Sequence, residues 1–317
     1  MAYISAVIPL YNEEQCLEEL LSRLEPALTA VHQDYEIVFV DDGSRDQTWT
    51  LLQRLAGRNR RVKGIRFSRN FGQHCSITAG LDECDADWIV IMDGDLQDRP
   101  EEIARLHARA QEGYDVVLAR RGRRKHPLPS RVTSWLFSRV FNYFTGLRRD
   151  EQVGSFRMLS RRVVQSFRGM REQMRYVGGM LEWMGFPTTT VDVQHDARAA
   201  GGSGYSLRKR WRMARDAIIA YSDKPLRLAT QFGFVTAGLA FVYGGYIVVR
   251  ALVRKTAVPG WSSLIASLFF IGGVIIATLG IVGIYLERTF AETKRRPLYV
   301  VRETLTQGGT DSPETAP

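Results

Sequence analysis

Asp93, Asp95 and Gln97 place two carboxylates and an amide oxygen close together in the chain. These are hard oxygen donors, the kind that suit Mg2+ or Mn2+. A bare D-x-D spacing is common in turns, so its context decides. Residues 88–92 before it are apolar and few, as in a buried strand. A divalent ion at that strand end would bridge diphosphate oxygens and stabilise the charge on a departing nucleotide. Asp41 and Asp42 close a second short apolar run, residues 36–40. One of the pair could accept a hydrogen bond from a base or ribose hydroxyl, and the other could close an Asx-turn before Ser44. Pro9, Tyr11, Asn12 and Glu13 end a third run, residues 4–10. They could hold a base and its sugar, or form a plain strand-to-helix turn with Asn12 as the cap.

A basic segment follows, with Arg120, Arg121, Arg123, Arg124, Lys125 and Arg131, and then an aromatic stretch with Trp135, Phe137, Phe141, Tyr143 and Phe144. Arginine forks suit phosphate, and an apolar helix beside them suits a membrane surface or a lipid chain. A nucleic-acid patch is the competing reading; it fits poorly if this face is held near a bilayer, so no nucleic-acid partner is expected.

The elements that must position these groups alternate. Residues 13–31 carry leucines at positions 17, 20, 21, 24 and 28, a helical period. Ser44 and Gln47 have the spacing of a capping box for the next helix. Val62–Phe67 is a strand, 73–84 a helix, and Pro100 suits the first turn of a helix with Glu101 and Glu102. Residues 115–119 form a further strand. This alternation predicts an α/β fold with a mostly parallel, doubly wound sheet, whose ligands bind outside the carboxyl ends of the strands. The three polar clusters lie at those ends.

The chain has 317 residues and a formal net charge of +9, room for one α/β domain and something smaller. Basicity alone suits nucleic acid, an anionic membrane face or a phosphorylated substrate. Three cysteines, Cys16, Cys75 and Cys84, show no metal-ligand spacing and fit a reduced compartment. The first residues lack the basic start and cleavage site of a signal peptide, so the catalytic part is expected in the cytoplasm. Residues 228–249 and 261–286 contain no internal charge until the flanks, and each exceeds the ~20 residues that cross a bilayer. Basic residues before the first run and after the second predict a hairpin with both flanks cytoplasmic. Residues 205–227 mix basic and apolar positions like an interfacial helix, and the end after Arg302 is polar enough to be disordered. The expected organisation is a catalytic domain over 1–204, an interfacial helix over 205–227, a membrane hairpin over 228–286 and a tail over 287–317.

Taken together, several segments resemble the polyprenyl-phosphate glycosyltransferases of glycosyltransferase family 2. They are VIPLYNEE (7–14), VDDGSRDQT (40–48), SRNFGQHCSITAGLD (68–82), MDGDLQDRPEEI (92–103), GSFRMLSRR (154–162), YSLRKRW (205–211) and GIYLERTFAETKRRPLYVV (283–301). The likeness is greater to bacterial undecaprenyl-phosphate sugar transferases than to dolichyl-phosphate mannosyltransferase. It implies a GT-A fold, a nucleotide-sugar donor (uridine favoured), a polyprenyl phosphate acceptor, inverting transfer, Mg2+ or Mn2+, an inner-membrane location and a homotetramer. By motif, Pro9, Tyr11, Glu13 and Asp41 would contact the nucleoside. Asp93, Asp95 and Gln97 would hold the metal and diphosphate. Arg120, Arg131 and Ser134 would receive the lipid phosphate, and with Asp95 they form the expected catalytic set. Arg198 would clamp the donor phosphates. Gly204 stands where the family has lysine, a charge that Arg208 or Lys209 would replace. A processive polysaccharide synthase lacks support, since Leu207 stands where its Gln-x-x-Arg-Trp motif has glutamine. A catalytically silent nucleotide-sugar-binding protein is the remaining alternative.

Overall fold

The computed structural model describes residues 2–121, 153–194, 224–254, 260–306 and 309–311. These residues fall into two compact units. One comprises 2–121, 153–194 and the chain from Arg296 onward; the other comprises 224–295.

The first unit is built on a nine-stranded sheet of order β7-β5-β6-β4-β1-β2-β3-β8-β9. Its strands are β1 (Ala2–Leu10), β2 (Tyr35–Asp41), β3 (Val62–Phe67), β4 (Ala86–Ile91), β5 (Val116–Arg121), β6 (Val153–Ser160), β7 (Thr188–Val193), β8 (Val301–Thr306) and β9 (Gly309–Asp311). The pairs β1–β2, β1–β4, β2–β3 and β5–β7 are parallel. The pairs β3–β8, β4–β6, β5–β6 and β8–β9 are antiparallel. The sheet is therefore mixed, not mostly parallel. The helical period and the apolar runs place β1 to β5 correctly, but β6 inserts between β4 and β5 by a long-range pairing that no local pattern encodes.

Helices α1 (Leu17–Val31), α2 (Thr48–Arg58) and α4 (Ile103–Ala110) share one hydrophobic core, with Leu20, Leu24, Leu52 and Leu106 against Ile8, Phe39 and Phe156. Helices α3 (Gln73–Glu83), α5 (Arg161–Arg168) and α6 (Val177–Met184) share the other, with Ile77, Val163 and Met180 against Val7, Val40 and Ile91. The alternating apolar residues of each strand divide between the two layers, as the period of two requires. Pro100 opens a short 3-10 turn (Pro100–Glu102) before α4, consistent with its expected first-turn position.

Several local expectations change. Helix α1 starts at Leu17 with Cys16 as its N-cap, so Asn12 is not a cap. Ser44 and Gln47 do not form a capping box. Helix α2 begins at Thr48, and Asp46 accepts from both the Thr48 backbone N–H (3.1 Å) and its hydroxyl (2.6 Å). The shorter aspartate reaches the first turn, while the Ser44 hydroxyl accepts from the Asn12 N–H at 2.9 Å instead.

The segment after Arg302, expected to be disordered, begins as strand β8 paired with β3. Polarity misled there, because Leu305 is the one buried residue of β8, while Arg302 and Thr306 are exposed. Residues 296–306 are joined to the first unit throughout. Gln173 donates to the Arg296 carbonyl (2.6 Å), Tyr299 donates to Asp82 (2.8 Å) and stacks on Phe67, and Ser68 N–H donates to the Val300 carbonyl (2.9 Å). Leu305→Ala should lower the stability of this unit by about 2 kcal/mol, since a buried leucine is lost beside Gly64. Denaturant unfolding followed by tryptophan fluorescence reads this; a change below a few tenths of a kcal/mol would mean that β8 is not part of the cooperative core.

The second unit contains α7 (Lys224–Arg254) and α8 (Trp261–Thr293). Among the described residues one stretch, Phe270–Thr293, is long and apolar enough to cross a membrane, with a mean hydropathy of 2.0. Leu268, Ile276, Leu279 and Leu286 on α8 are exposed. Residues 205–223 of the expected interfacial helix (205–227), together with Arg123, Arg124, Lys125, Arg131, Ser134, Arg198 and Gly204, lie outside the described residues, and residues 224–227 begin α7.

Candidate active site

Three strand ends build the site. Leu10 of β1 pairs with Asp41 of β2, and β4 lies on the other side of β1. The loops that leave these strands carry the polar clusters.

The loop after β1 is stitched to the loop after β2. Asn12 has a left-handed backbone (φ 56°) and accepts from the Arg45 N–H at 2.9 Å. Glu13 N–H donates to the Thr48 hydroxyl at 3.0 Å, and Glu14 accepts from the Gln47 N–H at 2.8 Å. Pro9 is buried in β1, whereas Tyr11 is 43% exposed and open to a ligand.

The two aspartates at the end of β2, Asp41 in the strand and Asp42 just after it, divide their work. Asp41 accepts the Ser44 N–H (3.0 Å) on one oxygen, which is the Asx-turn allowed by the sequence. Its other oxygen is buried without a hydrogen-bond partner and lies 3.4 Å from Arg66 Nε. Burial pushes the Asp41 carboxyl above the usual range, against the opposing pull of Ser44 and Arg66. Asp42 gives both oxygens to the backbone, accepting from Phe71 (2.6 Å) and Gly72 (2.9 Å). Asp42, expected beside Asp41 in the nucleotide site, thus holds the entry to α3. Gly43, which follows Asp42, has φ 67°, and a Cβ there would stand 2.6 Å from the Arg69 backbone.

The acidic loop follows β4. Asp93 accepts from Gln73 Nε2 (2.6 Å) on one oxygen and from the Ser155 hydroxyl (2.5 Å) on the other. Gly94 passes so close to β1 that a Cβ would meet Leu10 at 2.6 Å. Asp95 accepts the Gln97 N–H at 3.2 Å. Leu96 between them is left-handed (φ 59°), an uncommon conformation for a bulky residue, and its side chain is buried in the core. Such local strain clusters where surrounding structure fixes a functional loop. Asp98 is buried, and Arg121 donates to it at 3.3 Å. Burial, with Asp98 and Asp95 adding negative charge, raises Asp93 to about 6 despite Ser155 and Arg121.

Among the described residues no three His, Cys, Asp or Glu side chains converge as a metal cage. A magnesium ion bound through one or two carboxylates and substrate phosphates needs no such cage. The surplus of negative charge on Asp93, Asp95 and Asp98, with Gln97 beside them, fits a divalent cation.

Arg120 and Arg121 leave β5 on opposite faces. Arg121 reaches the acidic loop, whereas Arg120 forms a two-pronged ion pair with Asp192 of β7 (2.6 and 3.0 Å). Gln73, Asp98, Arg121 and Ser155 were not singled out as acidic-loop partners from the sequence. Gln73 and Ser155 lie inside the quoted segments 68–82 and 154–162, but only tertiary pairing shows that they grip Asp93. Arg157, buried on β6, donates to the Ser155 (2.8 Å) and Gly154 (2.8 Å) carbonyls and stiffens that strand.

His74, in the first turn of α3, lies edge-on to Tyr176 and has a buried Nδ1 with no hydrogen-bond partner. Burial, then Arg157 and Arg175, lower it from 6.5 to about 4. The folded protein therefore resists a proton that the unfolded chain accepts below about pH 6.5, and stability falls as the pH drops from there towards 4. His74 should account for about 2 kcal/mol of lost stability between pH 7 and pH 5. Unfolding curves of His74→Phe at the two pH values should lack that loss; an unchanged loss would remove His74 as its source.

Residues 5–168 match the family model described as glycosyl transferase family 2. The chain is 36% identical to the uncharacterized glycosyltransferase YkcC of Bacillus subtilis, over 94% of this chain and 93% of that protein. It is 35% identical to the prophage bactoprenol glucosyl transferase homolog of Escherichia coli, over 94% of this chain and 98% of that protein. A solved structure of glucosyl-3-phosphoglycerate synthase from Mycobacterium tuberculosis, in complex with Mn2+, UDP-glucose and phosphoglyceric acid, has 19% identity and a TM-score of 0.52. It covers 69% of this chain and 78% of its own, and shows that the mixed sheet is a GT-A-like α/β fold. The match over half the chain and the near-full-length relatives agree: this chain belongs to glycosyl transferase family 2 and is a glycosyltransferase.

Proposed function

We propose that this protein transfers one sugar, with inversion, from a nucleotide diphosphate sugar to a polyprenyl phosphate at the cytoplasmic face of a membrane. One observation carries the reading. Asp41, at the end of β2, and Asp93 and Asp95, after β4, flank the end of β1, in a chain whose relatives include one named for bactoprenol glucosyl transfer. Bactoprenol is a polyprenyl lipid, so the acceptor is a phosphate monoester. Its second pKa is roughly 6 by analogy with phosphorylated side chains, so it is largely dianionic at neutral pH. An acceptor oxygen attacks the anomeric carbon, the bond to the diphosphate breaks, and nucleoside diphosphate leaves. No strong general base is required.

The residues then have these tasks. Pro9, Tyr11, Glu13 and Asp41 hold the nucleoside, with Asn12 shaping the loop between them. Asp93, Asp95 and Gln97 would hold Mg2+ or Mn2+, which when bound neutralises charge on the departing diphosphate. Gln73 and Ser155 orient Asp93. Arg120, Arg131 and Ser134 take the lipid phosphate, and Arg120 exchanges Asp192 for it. Arg198 takes the donor phosphates. Helices α7 and α8 serve as a two-span membrane hairpin over 228–286, with Arg288, Lys294, Arg295 and Arg296 beside the cytoplasmic leaflet. That arrangement brings a lipid-borne acceptor to the site by diffusion within the bilayer.

Purified protein incubated with undecaprenyl phosphate, Mg2+ and a panel of nucleotide sugars should yield a lipid heavier by one sugar for one of the donors, read by mass spectrometry. A ladder of longer products would indicate a processive synthase. Nucleotide binding with no lipid product from any donor would indicate a silent binding protein.

A further inference from the structure

Asp41, Arg66 and Glu303 stand in one row across the sheet. Asp41 of β2 pairs in register with Arg66 of β3, and Arg66 pairs in register with Glu303 of β8. All three belong to the face that packs α1 and α2, because Phe39, Val62 and Leu305 on the same strands enter that core. The row alternates carboxylate, guanidinium, carboxylate. Arg66 Nε lies 3.4 Å from Asp41 Oδ2, and Arg66 Nη1 donates to Glu303 Oε1 at 3.2 Å. The other oxygen of Glu303 accepts from the Trp49 indole N–H at 3.0 Å. Trp49 is buried in the first turn of α2, and its ring lies 5.6 Å from the Arg66 guanidinium. Arg302 also approaches Glu303 Oε1, at 3.3 Å from an exposed position.

Two requirements compete at Asp41. It is fully buried, so it needs a nearby cation to stay ionised. It must also keep an acceptor oxygen for a ligand. A full ion pair with Arg66 would satisfy the first and defeat the second. Glu303 resolves the conflict by sharing Arg66. The guanidinium is held near enough to favour the Asp41 carboxylate, while Oδ2 is left without a hydrogen bond. The indole N–H fixes Glu303 in turn, so its oxygens cannot swing towards solvent without stranding a buried donor.

We propose that Glu303 is a positioning residue for the donor nucleoside: by sharing Arg66 it leaves one oxygen of Asp41 without a hydrogen bond, so that strand β8 completes the donor site. The proposal rests on the reading that Asp41 accepts a hydrogen bond from the nucleoside. It means that the donor site depends on a segment lying beyond the long apolar helix α8 in the sequence.

Titration calorimetry of the full chain with UDP, and with GDP in parallel, in the presence of Mg2+ tests this. Glu303→Gln keeps an acceptor for Trp49 but removes the charge, so Arg66 closes on Asp41. Nucleotide affinity should fall about tenfold, with the donor KM rising to match and kcat and the acceptor KM little changed. Arg66→Gln, which leaves Glu303 and Trp49 in place, should weaken binding in the same way and keeps the test valid if the first variant folds poorly. Asp41→Asn should weaken binding at least as much, and Glu303→Gln added to it should cost nothing further. Wild-type affinity in Glu303→Gln and Arg66→Gln, with weak binding in Asp41→Asn, overturns the proposal and leaves the role of Asp41 standing. Wild-type affinity in Asp41→Asn overturns both. A loss of kcat alone would mean that the row serves the chemistry or the fold, and would also overturn it.

Discussion

Asp95→Ala should lower kcat/KM for sugar transfer on the order of 10³-fold while the protein stays folded. The size of the effect follows from its proposed task. A carboxylate that helps hold the metal acts on charge that develops only as the nucleotide leaves, so its loss appears in the transition state. The modest cost to the fold follows from its surroundings. Asp95 is half-buried, and the bond that it accepts from the Gln97 N–H, 3.2 Å long, is at the weak end of the range. Losing a half-buried acceptor should cost about 1 kcal/mol. Three measurements separate the cases: the transfer rate, Mn2+ affinity, and the thermal midpoint. Near wild-type turnover would sink the metal assignment. A collapsed midpoint would show instead that Asp95 supports the loop, in the manner of Asp42.

Asp42→Ala should be the more damaging change for stability, lowering it by about 3 kcal/mol. Asp42 is 3% exposed and accepts the backbone N–H groups of both Phe71 and Gly72. Alanine leaves two donors without their acceptor, each costing about 1–3 kcal/mol where water cannot replace it. Some of this is offset, because burial already raises the Asp42 carboxyl and its ionised form is costly to hold. The position of the loop makes the effect reach the site. Gly72 turns with φ 97° straight into α3, whose first residue, Gln73, donates to Asp93. Activity should therefore fall along with stability, and Asp42→Asn, which keeps one acceptor oxygen, should recover about half of the stability. Denaturant unfolding of the two variants decides: equal and small losses would mean that the loop finds other partners.

Much of the site was legible because the chemistry sits at strand ends and strand ends are short-range features. The run before Asp93, the run before Asp41 and the run before Tyr11 each announced a strand, and the alternation with amphipathic helices made those ends converge. Helix starts were read less well. Ser44 and Gln47 had capping-box spacing, yet Asp46 lies nearer the first turn and its carboxylate accepts more strongly than a hydroxyl. The β8 segment was misread for a different reason. RETLT holds one leucine among four polar residues, and such a stretch has too little hydrophobicity to declare itself as a strand until β3 supplies the partner.

By itself the sequence marked oxygen donors after apolar runs as a candidate metal and nucleotide site, and motifs spread along the chain carried the family and, through that resemblance, the reaction class. Those properties are local, set by side-chain type and by periods of two and 3.6 residues. Only the tertiary structure decided how each carboxylate is used. It gave Asp42 to the backbone of residues 71 and 72, left Asp41 with a buried oxygen that accepts no hydrogen bond, clamped Asp93 between Gln73 and Ser155, and set Arg120 against Asp192. It also brought Glu303 to Arg66 across 237 positions of chain. The physical reason is that a carboxylate's role depends on which donors reach it in space. In a sheet those donors arrive by the pairing of strands distant in sequence, and no local pattern records that pairing.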